Sequence, residues 1–272
     1  LAKIDLKNAI LRLWDGTIPT LTTTNTGGDD GKLLLTALSK HHGSATPSIT
    51  LVDPGSDGSI AVVVVGVDVT VTLAYATGAV TTTATLLEAA LDGDADAVAL
   101  FTASQVGAGS VLVEAQAITR LTGHNSLEIK VGDGNLTHSE KKTREFSLDR
   151  GSLDTVRDAD EEPMDVSFDF MWEFLTSANG ASVPTIEEVL KNLAPADTWV
   201  TTADDTCQPF CVDLEIVNAP ACSAIDDEQS LFEEFYYEGL DHDTKEASVA
   251  CSGRCNRLTA SHVRFDSAIL PL

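Results

Sequence analysis

The sequence predicts a mainly β fold of the α+β class, with one short flanking helix and a small inserted α/β module. Three observations carry this expectation. Residues 164–175, MDVSFDFMWEFL, place Met164, Val166, Phe168, Phe170, Trp172 and Phe174 on one wholly apolar face and Asp165, Ser167, Asp169, Met171, Glu173 and Leu175 on the other, as a strand with one buried face requires. Residues 48–75 are dominated by Val, Ile and Thr, the residues that suit a pleated surface. Beyond Thr81 the apolar spacing changes from two residues to the three-and-four pattern of a helix.

In chain order, KIDLKNAILRLW at 3–14 reads as a strand or strand pair closed by Asp15-Gly16. The Thr/Gly/Asp-rich run TIPTLTTTNTGGDDG has no periodicity and reads as a linker. Residues 31–121 follow as an inserted module of strand, strand, helix and strand. In it DPGSDG separates a short strand from a longer pair joined near Gly66-Val67-Asp68. Its helix is capped by Thr82 or Thr83, carries Leu86, Leu87, Ala90 and Leu91 as its apolar positions, and stops at Gly93. Ala95 to Ala103 suggests a further helical turn or two, and the chain returns to strand before residue 121. The main domain, 1–30 with 122–272, continues with a strand at 126–137 that ends on a Gly-Asp-Gly-Asn turn.

Residues 141–162 are rich in both charges and read as a long projecting loop or hairpin. Residues 184–194 read as a short helix with Pro184 in its first turn, acids at its positive end and an apolar stripe of Ile186, Val189, Leu190 and Leu193. Strands are expected at Cys211–Val217, Leu231–Tyr237 and Glu246–Cys255, with one more in the final segment.

Charge narrows the function. The chain holds 42 acids against 17 bases, a net charge of −25, and 30 of those acids lie in residues 121–272. Such a field repels phosphate backbones and argues against tight nucleic-acid binding, yet suits a channel through which DNA must slide. Adaptation to a saline environment is the rival explanation of the acidity. No apolar run reaches the length of about 18 residues that a membrane helix needs, so no membrane-spanning segment is expected. The charged N-terminal stretch lacks the apolar core of a secretory signal, and the chain is read as made in cytoplasm.

Catalytic signatures are not found: GxSxG, HExxH, GxGxxG and GxxxxGK[ST] are all missing from the sequence, and no enzyme, cofactor or metal site is expected. Asp241-His242-Asp243 is the most tempting constellation, but neighbours on a strand point to opposite faces and cannot both orient one ring. Five cysteines, Cys207, Cys211, Cys222, Cys251 and Cys255, read as packed or scattered thiols before they read as zinc ligands.

The block NSLEIKVGDGNLTHSEKKTREFSLDRGSLDTVRDADEEPMDVSFDFMWEFL at 125–175 resembles the major tail tube proteins of long, non-contractile-tailed (siphovirus-like) bacteriophages, as does KIDLKNAILRLWDGT at the N-terminus. Gly239-Leu240-Asp241-His242-Asp243 and the strand ending at Cys255 resume the likeness. The resemblance implies a β-sandwich tail-tube fold with a flanking helix, six subunits per ring, and rings stacked into a virion tail tube that passes double-stranded DNA without sticking. It implies tail terminator, tail tip and tape-measure proteins as partners. By the same likeness Asp165, Asp169 and Glu173 are candidate lumen-facing acids. Arg144, Asp149, Arg150, Asp154, Arg157, Asp160 and Glu161 belong to the candidate inter-ring loop, and residues 31–121 stand on the tube exterior. Rival readings are another virion part, such as a tail terminator or capsid decoration protein, and a carbohydrate-binding or adhesion β-module.

Overall fold

The computed structural model describes residues 9–38, 46–129, 136–149, 152–171, 184–193, 198–205, 207–218 and 227–265. The chain is mainly β and divides into two compact units, one of Leu1–Gly16 with Asn125–Leu270 and one of Thr17–His124. Strand β1 (Ala9–Trp14) begins the first unit. The chain then leaves it at Asp15-Gly16, and Asn125 marks the return. The buried Asp15 carboxylate closes this gateway, accepting the Asn125 backbone N–H at 2.8 Å and its side-chain amide at 2.8 Å.

The second unit contains β2 (Thr20–Thr22), β3 (Leu33–Ala37), β4 (Ser48–Val52), β5 (Ala61–Val65), β6 (Asp68–Thr72), β7 (Tyr75–Ala76), β8 (Ala79–Val80), helices α1 (Ala84–Asp92) and α2 (Ala95–Val98), β9 (Phe101–Gln105) and β10 (Gln116–Arg120). Two results differ from the sequence expectation. The Thr-rich stretch holds β2, which pairs antiparallel with β3, so residues 17–30 pack with the insertion instead of linking to it. Phe101–Gln105 is a strand paired with β3, because Phe101 and the Leu33/Leu35 face share one core. The pair β5–β6 turns at Gly66, whose positive φ of 62° is one that glycine tolerates. Thr83 caps α1 by accepting the Leu86 N–H at 3.3 Å. Leu87 and Leu91 are buried beneath the helix while Leu86 is exposed.

The first unit resumes with β11 (Ser126–Ile129), β12 (Thr137–Ser139), β13 (Lys142–Asp149), β14 (Ser152–Glu161), β15 (Met164–Met171), α3 (Ile186–Leu190), β16 (Val212–Asn218), β17 (Asp227–Asp243), β18 (Ser248–Cys255) and β19 (Ser261–Phe265). Its main sheet runs β11-β1-β16-β17-β18-β15-β12, with β19 also on β17. Because β1 and β11 are antiparallel neighbours, the whole second unit occupies a connection between adjacent strands.

Strand β17 is the organising element. Its first half pairs with β16 and β19 and its second half with β18, so one 17-residue strand serves two arms of the sheet. Between them Glu234 takes a positive φ of 52°. A buried polar network holds this bend: Asp213 accepts the Glu234 N–H at 2.8 Å, and the Glu234 carboxylate accepts from Asn256 at 2.8 Å and pairs with Arg257 at 3.1 Å. Both arms supply the same core, in which Phe168, Phe170, Phe232 and Phe235 pack with Leu13, Leu214 and Val249. Helix α3 covers part of it with Val189 and Leu190, held by a capping box between Thr185 and Glu188. Leu193, expected in the same stripe, is exposed.

Candidate functional site

Two surfaces of the first unit carry the sequence candidates. One is the outward face of β15, β18 and the second half of β17. Met164, Val166, Phe168 and Phe170 of β15 point into the core, so Asp165, Ser167 and Asp169 point away from it. In register beside them lie Arg254, Ser252 and Ala250 of β18, then Tyr236, Gly239 and Asp241 of β17. The face is therefore built from carboxylates, hydroxyls and small side chains around one guanidinium, that of Arg254.

Its charge is partly compensated. Asp165 accepts from Lys141 at 2.5 Å and from Arg254 at 3.1 Å, and Arg254 also lies 3.6 Å from Glu238. The Lys141 ammonium holds the Asp165 carboxyl below its ordinary range. Asp165 thus anchors an ion-pair cluster, while Asp169 is half-exposed farther along the strand. Glu173 lies outside the described residues. Glu238 and Asp241 also belong to this face; Glu238 was not singled out in the sequence and Asp241 stood out there only beside His242, because the second half of β17 lacks the regular alternation that exposes β15.

The second surface is the segment expected to be a projecting loop or hairpin. Residues 142–161 form a two-stranded antiparallel hairpin of β13 and β14 that makes a sheet of its own. Arg144 faces Asp158 at 3.8 Å near its base, with Lys142 on the same carboxylate at 3.5 Å. Arg157, Asp160 and Glu161 are exposed on β14. Asp149 and Asp154 lie on the two strands, and Arg150 falls outside the described residues.

The feature that distinguishes the hairpin was not singled out in the sequence. Phe146 and Val156 are directly opposed, and Leu148 lies two residues beyond Phe146, so the three share one face. They are 60%, 52% and 64% exposed. Arg157 and Glu145, opposed across the ladder, take the other face beside the Ser147–Thr155 hydroxyl pair. The hairpin is amphipathic with its apolar face in solvent. The signal was present as Phe-x-Leu alternation, obscured by the surrounding charges.

The remaining candidates are structural. Cys211, Cys251 and Cys255 are buried, and burial pushes the Cys251 and Cys255 thiols up to about 12, which keeps them protonated and poor ligands. Cys207 is exposed, and Cys222 lies outside the described residues. His242 meets Glu187 of α3 at 3.3 Å, so a carboxylate from another element reaches the ring. No helix among the described residues is long and apolar enough to cross a membrane. Comparison with protein-family models, with curated proteins and with solved structures returned no match.

Proposed function

We propose that this chain is a structural subunit that polymerises with copies of itself into rings and stacked tubes, as the major tail tube protein of a long-tailed, non-contractile phage. The observation that carries this reading is the amphipathic β13–β14 hairpin. An isolated two-stranded ribbon is marginal in water, and one that also exposes Phe146, Leu148 and Val156 gains most by burying them against another surface. In the proposed assembly this hairpin reaches the next ring or subunit, with Arg144, Arg157, Asp158, Asp160 and Glu161 setting register through charge.

The face of β15, β18 and β17 suits the lumen. Carboxylates repel passing phosphates, and serine, glycine and alanine leave little for DNA to grip. A closed ring of sandwich subunits also removes edge strands, which otherwise invite uncontrolled pairing. In this reading the tube belongs to the virion, is assembled in the host cytoplasm, and meets tail terminator, tail tip and tape-measure proteins. The work of the subunit is assembly, with no reaction chemistry assigned to it.

Electron microscopy of the purified chain across a concentration series tests the proposal. Rings of uniform diameter or hollow tubes are expected to accumulate with concentration. Particles that stay monomeric up to the solubility limit contradict self-assembly as an intrinsic property of this chain.

A further inference from the structure

A cluster outside both surfaces has the composition of a metal site. His138 and Glu140 are two residues apart, at and just beyond β12, and His262 lies on β19. One ligand atom from each lies within 4.8 Å of the others. We infer that His138, Glu140 and His262 bind one divalent first-row transition-metal ion, with zinc as the representative, and that the ion ties β12 to β19.

The donor set selects the class of ion. Two imidazoles and a carboxylate suit zinc and its first-row neighbours, whereas calcium and magnesium favour sites made wholly of oxygen. The ligands are also oriented from behind. Ser230 Oγ shares a hydrogen bond of 2.8 Å with His262 Nδ1, which leaves Nε2 as the coordinating nitrogen. The Ala260 backbone N–H donates to Glu140 Oε1 at 3.0 Å and leaves Oε2 for the metal. The His138 ring stands edge-on to Phe232, with centroids 5.2 Å apart and an interplanar angle of 62°. The neighbouring cation Lys141 is engaged by Asp165 at 2.5 Å, and the chain's net charge of −25 favours a cation.

Coordination at about 2.1 Å in tetrahedral geometry sets ligand atoms about 3.4 Å apart. All three side chains are exposed and can close the remaining gap by rotation. Three protein ligands leave a fourth position for water. The topology gives the ion a purpose: β12 is paired to β15 and β19 to β17, and no backbone ladder joins β12 to β19 among the described residues. A bound ion supplies that cross-link, and because the unfolded chain does not hold the three ligands together, binding stabilises the fold.

The test uses the full-length, tag-free chain stripped with a chelator, titrated with zinc chloride by calorimetry and then unfolded thermally with and without zinc. One zinc per chain and a higher Tm with zinc are expected. Both should weaken at least tenfold in His138→Gln/His262→Gln and persist in His242→Gln, whose histidine lies outside the cluster. Three results overturn the inference. These are equal zinc affinity in the double variant, which places the metal at other ligands, no zinc binding at millimolar concentration, and half a zinc per chain with dimers, which assigns the ion to a bridge between copies.

Discussion

The two units reach a folded core by different chemistry. The first, Leu1–Gly16 with Asn125–Leu270, carries 32 acids and 14 bases, whereas Thr17–His124 carries 10 and 3. Among the described residues, the first unit buries the carboxylates of Asp15, Asp213, Glu215 and Glu234, while the polar residues buried in the second are Thr23, Thr46, Ser48, Thr82 and Gln116. Neutral hydroxyls and an amide are buried at modest cost, each held by one or two hydrogen bonds: Thr23 accepts the Leu33 N–H, Thr82 the Ala74 N–H, and Gln116 the Thr24 N–H and hydroxyl from 92 residues away. A carboxylate out of water requires several partners, and here those partners come from distant strands: Glu215 accepts from Trp14 at 2.7 Å and from Gln229, with Arg12 at 3.9 Å. Such groups fix which strands meet and where β17 bends, at the expense of stability if any partner is lost.

The largest effects should therefore fall in the first unit. Glu215→Ala leaves the Trp14 and Gln229 donors buried without their acceptor and should destabilise by roughly 3–5 kcal/mol. Phe170→Ala should cost a similar amount, about 3–5 kcal/mol, by opening a cavity between the sheet arms. All three tryptophans lie in this unit, so denaturant unfolding followed by Trp fluorescence reads it alone. A change below about 1 kcal/mol for either variant contradicts its placement in the shared core.

An intermediate effect is expected from Thr82→Val in the second unit, which removes the acceptor of the Ala74 N–H at 2.6 Å. About 1–3 kcal/mol should be lost, visible by circular dichroism while Trp fluorescence keeps its midpoint. A shift in the fluorescence transition of equal size breaks the claim that the units differ in kind.

Helix caps act locally and alike in both units. Thr83→Ala and Thr185→Ala should each cost about 1 kcal/mol, the first in the circular dichroism signal and the second in fluorescence. The smallest effect concerns Glu187, whose carboxyl the Lys191 ammonium holds below the usual range, with His242 adding to the shift. A depressed pKa contributes stability above the unfolded value of 4.5 that fades as pH falls through the folded one. Lys191→Met should cost less than about 1 kcal/mol near neutrality and nothing once Glu187 is protonated. A penalty that stays constant on acidification contradicts the assignment.

How much of this was legible follows from the range of the interactions. The inward face of β15 could be read directly, since alternation is a local property, and so could the Thr83 cap and Gly93 stop of α1. β2 and the strand at Phe101–Gln105 were not, because Thr-rich and Ala-rich stretches become strands only when β3 lies between them. The buried carboxylates carry no sequence mark at all: Glu215 and Glu234 look like surface acids until Trp14 and Arg257 are brought to them. The candidate site was half legible. The charged residues of 141–162 drew attention to the segment, yet its exposed Phe146, Leu148 and Val156 emerged only from cross-strand register. His138, Glu140 and His262 likewise meet only through the fold.

The most direct test of self-assembly through the hairpin compares the native chain with Phe146→Glu/Leu148→Glu by sedimentation velocity and electron microscopy at matched concentration. The native chain should form rings or tubes, and the variant should remain monomeric with an unchanged Trp-fluorescence unfolding curve. Equal assembly by both chains, with the variant folded by the same curve, contradicts a docking role for the apolar face of β13 and β14.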